Sequence, residues 1–447
     1  MAAAVTAQRH GLSVIVADDQ RAPGGQIWRS IEQDGRRDHI LGPAYVEGRR
    51  SAAAFRQSGV EYRSGAKIWQ IEDGFRVFLS EGGTASIIRS KALLLATGAQ
   101  ERPVPFPGWT LPGVLTVGAG QILLKSAGEI PDAPVWIAGT GPLPLLYAVQ
   151  LMKAGGRIAG FLDTTPRGQW MAAARLLPRA LLAAGDLAKG IRWQSQLRTS
   201  GTLVVGGVEH LEAIGGERLE AIRYRTAKGK VVEAAASVLL VHEGVVPSIH
   251  PALSLGCRIS WNEGQDSFAP EVDEWGETSR PGVFVAGDGA GIAGAKAAEL
   301  RGRLAALRIA ERAGRLDAAA AIELARPERR RLARELAARP FLDALFRPRR
   351  SIFTPSNETV VCRCEGVTAG EIKGLAVNSS IGPNQIKAAS RTGMGPCQGR
   401  QCGYTVTRLI AEAQCRTPEQ VGFLNIRPPL RPVTLRELAS LEEGAGS

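Results

Sequence analysis

Four cysteines in two tight pairs, Cys362-x-Cys364 and Cys397-x4-Cys402, fall within forty-one residues near the C-terminus of the 447-residue chain and constrain its fold more than any other feature. Thiolates are soft ligands that suit iron-sulfur clusters or zinc, and four of them complete either site. Structural zinc usually takes pairs spaced by two to four residues, so the C-x-C pair tilts the pattern toward a [2Fe-2S] cluster while zinc stays open. Glycines crowd the second pair in TGMGPCQGRQCG, which lets backbone amides turn toward the sulfurs. Buried free thiols are the plainest alternative. A redox dithiol beside a flavin is another, but such a dithiol normally sits in the first helix after the first strand unit, where this chain has no cysteine. Cys257 and Cys415 stand alone and read as ordinary thiols. Six cysteines in so large a chain argue against a disulfide framework and suit a reducing compartment.

Ahead of this module the pattern is α/β. Residues 1–19 read as a helix, a turn and a short apolar strand, LSVIVA, ended by Asp18 and Asp19. Asp18 stands where a dinucleotide-binding unit places the acid for an adenosine ribose, and Gly24-Gly25-Gln26 follows as a close-approach loop. An exposed turn aspartate is the bland account of Asp18, and on that residue alone it would win. A β-rich stretch, EYRSGAKIWQIEDGFRVFLSEGG, leads into a buried-strand run, KALLLATGA.

A second α/β unit starts after the proline-rich bend RPVPFPGWTLPG. Its strand is APVWIAG, its turn Gly139-Thr140-Gly141, and its next strand RIAGFLD ends on Asp163. Pro144 stands where a third glycine would permit tight helix packing, which counts against a nicotinamide site there. Further strands are expected in ASVLLVHEGVVP and GVFVAGDGAG. In the latter, Gly287-Asp288-Gly289 lets backbone approach a phosphate or ribityl chain while the carboxylate accepts a hydrogen bond from a cofactor hydroxyl.

A formal charge of +12 raises nucleic acid as a partner, but the arginines are scattered and aromatic residues make up only 5%. No interleaved stacking platform is present, so nucleic-acid binding is not expected. The basic run ARPERRRLARELAARPFLDALFRPRR reads as a solvated helix and linker. No stretch approaches the apolar length of a membrane span and no secretory signal is evident, so a cytoplasmic protein is expected, with peripheral membrane contact compatible. His10, His39, His210, His242 and His250 show neither metal spacing nor a catalytic partner signature, and no catalytic acid or base is assigned.

Taken together, APGGQIWR, LLLATGAQERPVPFPGWTLPGV, AGTGPLPLLYAVQLMKAGG and GDGAGIAGAKAAELRGRLAAL resemble the larger flavoprotein subunit of bacterial opine oxidases, hydroxyproline dehydrogenases and hydrogen cyanide synthase. VCRCEGVTAGEI and RTGMGPCQGRQCG resemble the bacterioferritin-associated-ferredoxin-like (BFD-like) [2Fe-2S] module that ends those subunits. The resemblance implies two glutathione-reductase-like dinucleotide-binding domains plus a small C-terminal α-helical [2Fe-2S] module. It divides the chain into an FAD domain at 1–104 and 270–325, an NAD(P)-like domain at 105–269, a basic linker at 326–355, the cluster module at 356–425 and a tail at 426–447. Carried over, Asp18 is the ribose acid, Gly24, Gly25 and Gln26 the flavin-proximal loop, and Thr97 with Gly98 the ATG turn. Asp288 is the flavin-domain aspartate, and Cys362, Cys364, Cys397 and Cys402 are the cluster ligands. Relatives begin with a strand and a GxGxxG turn ahead of the position of Met1. This chain is therefore expected either to start upstream, by about a dozen residues or more, or to bind flavin poorly, and a misassigned start is the reading preferred.

The expected function is electron transfer by an FAD and iron-sulfur protein working within a larger complex. A partner of the amino-acid-oxidase type, itself FAD-dependent, oxidises a CH-NH bond of an amino acid, opine or amine. A small ferredoxin-like protein is a second candidate partner, and FMN at an interface between the partners stays open. One rival is a stand-alone NAD(P)H-dependent FAD oxidoreductase using Gly139 to Gly141; another is a non-redox scaffold.

Overall fold

The strand Val135–Thr140 is buried at all six positions, the pattern of a strand covered on both faces of a parallel sheet. In the computed structural model, which describes residues 1–377 and 382–444, it is the middle strand of five. The order is Val204–Gly206, Ile158–Asp163, Val135–Thr140, Leu239–Glu243 and Val114–Thr116, every neighbour parallel. Alternation along the strands feeds two cores. Ile137 and Leu240 pack with Val117, Leu124, Tyr147 and Leu151 from the helices Val117–Ser126 and Pro142–Lys153. Trp136, Ala138, Leu239 and Val241 face the other way, onto Leu211, Ile222 and Tyr224 of an antiparallel sheet formed by His210–Ile214, Ala221–Arg225 and Val231–Ala235. That second sheet was not read from the sequence.

The N-terminal unit is built from shorter ladders. Ile15–Asp18 runs parallel to Glu61–Ser64, and Leu93–Leu95 parallel to Val283–Val285. The β-rich stretch forms an antiparallel meander of Lys67–Glu72, Arg76–Glu81 and Thr84–Arg89. The helix Ala295–Arg312 closes the unit and packs on the helix Ala2–Arg9.

In the C-terminal module the strand Val360–Cys362 pairs with Val367–Thr368, followed by the helices Ala369–Ala376, Pro383–Ser390 and Gly403–Ala413. The first helix starts where Thr368 and Glu371 cap each other's backbone N–H, a reciprocal box written in the sequence as T-x-x-E. Val361, Ile372, Ile386, Val406, Leu409 and Ile410 form its core. Residues 378–381 of the expected module and 445–447 of the expected tail lie outside the described residues.

A seam of mixed origin joins module to body. Tyr404, Phe423, Leu424, Ile426 and Leu430 share one core with Val246, Ile249, Trp261 and Phe268; each such large side chain taken from water contributes about 1.5–3 kcal/mol. Ions cross the same seam. The buried Asp266 accepts from Arg408 of the module and from Arg347 (3.1 Å), and the buried Glu243 pairs with Arg349 at 2.9 Å. The basic run therefore departs from the expected solvated helix and linker. It is helical over Ala318–Glu335 and Arg339–Leu345, and Phe341 and Arg349 are buried because an apolar pocket and a buried carboxylate receive them.

Candidate functional site

Three backbone loops of the N-terminal unit carry the expected cofactor residues, and each is held by a residue that the sequence alone did not single out. Asp18 ends its strand with Oδ1 accepting the Gln20 N–H at 2.9 Å and Oδ2 accepting the Tyr62 hydroxyl at 3.3 Å. Burial raises its pKa above the ordinary carboxylate value. Gly24, Gly25 and Gln26 turn next to it. Lys125 Nζ, reaching across from the helix Val117–Ser126, donates to the carbonyls of Gln26 and Ile27 and to Gln121 Oε1, each at 3.0 Å. Burial lowers the Lys125 pKa to about 8.

Thr97 and Gly98 follow the strand Leu93–Leu95, and both are clamped by Ser248. The Thr97 hydroxyl donates to the Ser248 carbonyl at 3.0 Å, and the Ser248 N–H donates to the Gly98 carbonyl at 2.9 Å. Gly287, Asp288 and Gly289 follow the paired strand Val283–Val285, so the two turns emerge side by side. Asp288 Oδ1 accepts the N–H groups of Ala293 and Gly294 at 2.8 and 2.9 Å, which orients the carboxylate at the start of the helix Ala295–Arg312. Arg301 donates to the carbonyls of Gly287 and Gly291 and pins the loop from behind. Strand ends, close-approach glycines and an oriented carboxylate form a donor set that suits a dinucleotide.

In the second unit Gly139 lies where a Cβ would stand 2.3 Å from the His242 carbonyl, so only glycine permits the strands to approach. Gly141 precedes a helix that contains Pro142 and Pro144. Beside this turn, His242 Nδ1 lies 2.7 Å from Glu101 Oε1, and Glu101 Oε2 accepts the Gly118 N–H. His242 is thus a buried, partnered group; nothing local in the sequence signals that pairing, because the partner lies 141 positions away.

The four cysteines converge as two pairs. Cys362 and Cys402, both buried, interact thiol to thiol, and Cys364 does the same with Cys397. The Cys402 thiol lowers the Cys362 pKa to about 6, helped by the backbone amides of Gly393, Glu365 and Cys364. The same contact, with burial, pushes Cys402 well up. Burial and the Cys397 thiol raise Cys364. Glycine is required beside them: a Cβ on Gly395 would stand 2.2 Å from Cys364 Cβ. Among the described residues no three His, Cys, Asp or Glu side chains close around a single ion position; the thiols stand two by two. Two thiolates for each of two metals, with amides aimed at one sulfur, fit a dinuclear iron-sulfur cluster.

Comparison with known proteins adds to this geometry. Residues 1–314 match the family model for pyridine nucleotide-disulphide oxidoreductases, and residues 360–412 match that for BFD-like [2Fe-2S] binding domains. An opine oxidase subunit of Rhizobium meliloti is 43% identical over 100% of this chain and 86% of its own length. Hydrogen cyanide synthase subunit HcnB of Pseudomonas protegens is 32% identical over 97% of this chain and 94% of its own. The crystal structure of L-proline dehydrogenase from P. horikoshii shares the fold, with a TM-score of 0.71 at 19% identity over 98% of this chain and 76% of that one. FAD and a [2Fe-2S] cluster are the cofactors these matches support. No helix among the described residues is long and apolar enough to cross a membrane.

Proposed function

The chain belongs to the family of hydrogen cyanide synthase subunit HcnB and its opine oxidase counterpart, an oxidoreductase body with a BFD-like [2Fe-2S] domain, and from that premise we propose that it relays electrons within a hetero-oligomeric dehydrogenase. The carrying observation is the two-by-two arrangement of Cys362 with Cys402 and Cys364 with Cys397 on a module whose seam with the body is buried. Substrate oxidation, at a CH-NH bond of an amino acid, opine or amine, takes place in a partner of the amino-acid-oxidase type.

When bound, FAD exchanges electron pairs and the cluster takes electrons singly. The residues of this chain position them. Asp18 holds the ribose; the loop at Gly24, Gly25 and Gln26, the turn at Thr97 and Gly98, and Gly287 with Asp288 and Gly289 present backbone and one carboxylate to the flavin. Cys362, Cys364, Cys397 and Cys402 ligate the cluster. Gly139 and Gly141 do not serve NAD(P)H: Pro144, buried in the helix that follows, replaces the glycine such a site uses. An FMN at the interface with the partner is a further expectation of this reading, as is a small ferredoxin-like protein in the complex.

The test is reduction of the reconstituted complex. An amine or amino-acid substrate reduces flavin and cluster only when the oxidase-type partner is present, and NADH leaves both oxidised. Rapid bleaching by NADH in the absence of any partner overturns the reading in favour of a self-contained pyridine-nucleotide oxidoreductase, and a colourless, iron-free protein reduces the chain to a scaffold.

A further inference from the structure

Two hydrogen bonds cross from the body to the loop that carries Cys397 and Cys402, and both come from residues that the cofactor assignments leave unused. His250 Nε2 lies 3.0 Å from the carbonyl oxygen of Gln398, and Gln100 Nε2 donates to the carbonyl of Arg400 at 2.8 Å. His250 is 3% exposed and starts the helix His250–Ser254. Burial pushes its pKa down to about 3, so the ring is neutral at physiological pH. Because a carbonyl only accepts, Nε2 carries the proton.

The loop needs this support. Gln398 is a non-glycine residue at φ +52°, a strained region for a side-chain-bearing residue that persists only where its surroundings hold it there. Its carbonyl is the one that His250 grips, and Arg400 is further tied through its guanidinium to the carbonyls of Cys397 and Leu430, both at 3.1 Å.

On the body side both anchors lead to the same place. Gln100 lies in the strand Ala99–Glu101, which immediately follows Thr97 and Gly98 and pairs antiparallel with Val245–Pro247. That partner strand runs into Ser248, which clamps Thr97 and Gly98, then Ile249, which is fully buried, then His250. Two short paths of covalent and hydrogen bonds thus join the flavin-side turn to the cysteine loop. One runs Gly98, Ser248, Ile249, His250, Gln398, Cys397; the other runs Gly98, Ala99, Gln100, Arg400.

We propose that His250 and Gln100 are positioning residues that lock the loop carrying Cys397 and Cys402 to the turn at Thr97 and Gly98. The inference rests on the proposed function and goes beyond it by naming the side chains that would hold a cluster at Cys397 and Cys402 in a fixed relation to that turn.

The experiment compares wild-type holoprotein with His250→Leu, His250→Gln and Gln100→Leu. Flavin is photoreduced with EDTA as donor, and three readouts follow: the rate at which the cluster is reduced, its midpoint potential, and its paramagnetic resonance line shape. Glutamine places an amide nitrogen near the position of Nε2. His250→Leu retains iron, alters the line shape and potential, and slows cluster reduction by about tenfold; His250→Gln restores all three toward wild type, and Gln100→Leu gives a smaller change of the same kind. His250→Leu that holds its cluster and matches wild type in all three overturns the proposal, as does a His250→Gln variant no better than Leu. Should His250→Leu lose its cluster, Gln100→Leu decides by the same readouts. A wild-type protein with no cluster signal would instead sink the proposed function itself, and the bridge with it.

Discussion

Cations fix both the seam under the C-terminal module and the loop at Gly24 to Gln26, but they do so in different ways. At the seam arginines meet buried carboxylates: Arg349 meets Glu243, and Arg347 and Arg408 meet Asp266, while the buried Arg102 beside them donates to the carbonyls of Glu243, Gln265 and Asp266. At the loop, Lys125 meets the neutral oxygens of Gln26, Ile27 and Gln121. A buried carboxylate with a fixed arginine partner has few alternative arrangements, so Asp266 with Arg408 sets the registry of module on body, and Glu243 with Arg349 ties the linker to the body. A buried ammonium ringed by neutral oxygens keeps its proton less firmly, which is why burial brings Lys125 down to about 8. One region is held by charge pairing, whereas the other is held by an unpaired buried charge that a rise in pH removes.

The contrast breaks most sharply at Glu243. Glu243→Ala strands Arg349 in the interior, and the expected loss is about 3–5 kcal/mol of stability, read as a shift in urea midpoint. A double variant, Glu243→Leu with Arg349→Met, recovers most of it; a double variant as unstable as the single would mean that packing, rather than ion pairing, holds the seam. Lys125→Met comes next. It leaves the carbonyls of Gln26 and Ile27 without their donor, and the expected cost is about 1–3 kcal/mol together with weaker FAD binding, measured by flavin release on dilution. Unchanged flavin affinity would separate Lys125 from the cofactor loop.

The smallest effect is the pH response of Lys125 itself. Its folded pKa, about 8, lies below the 10.5 of the free side chain. Between those values the unfolded chain holds more protons than the folded one, so stability rises with pH from about 8 to 10.5 and is flat for this group below 8. The rise is expected in urea titrations of wild type and absent from Lys125→Met.

The same contrast explains how much could be read in advance. Features written in consecutive residues were readable: the cysteine pairs, the strand that the structure places at Val135–Thr140, the strand that ends on Asp18, and the glycine turn at Gly287 to Gly289. The family resemblance added Thr97 and Gly98. What escaped depends on distance along the chain. Lys125 lies 99 positions from Gln26, His250 lies 148 from Gln398, and Arg349 lies 106 from Glu243. Each looks in sequence like an ordinary polar residue, and Arg349 sits in a basic run whose composition suits water. The stretch from His210 to Ala235 was missed for another reason. Its strands are five residues each with mixed exposure, too short for alternation to stand out from loop.

The most direct measurement is metal and acid-labile sulfide analysis of anaerobically purified protein, joined to paramagnetic resonance after reduction. About two irons and two sulfides per chain with a rhombic signal are predicted, and both disappear in Cys362→Ser while flavin stays bound. Stoichiometric zinc, or thiols that titrate free with no metal present, would contradict the account.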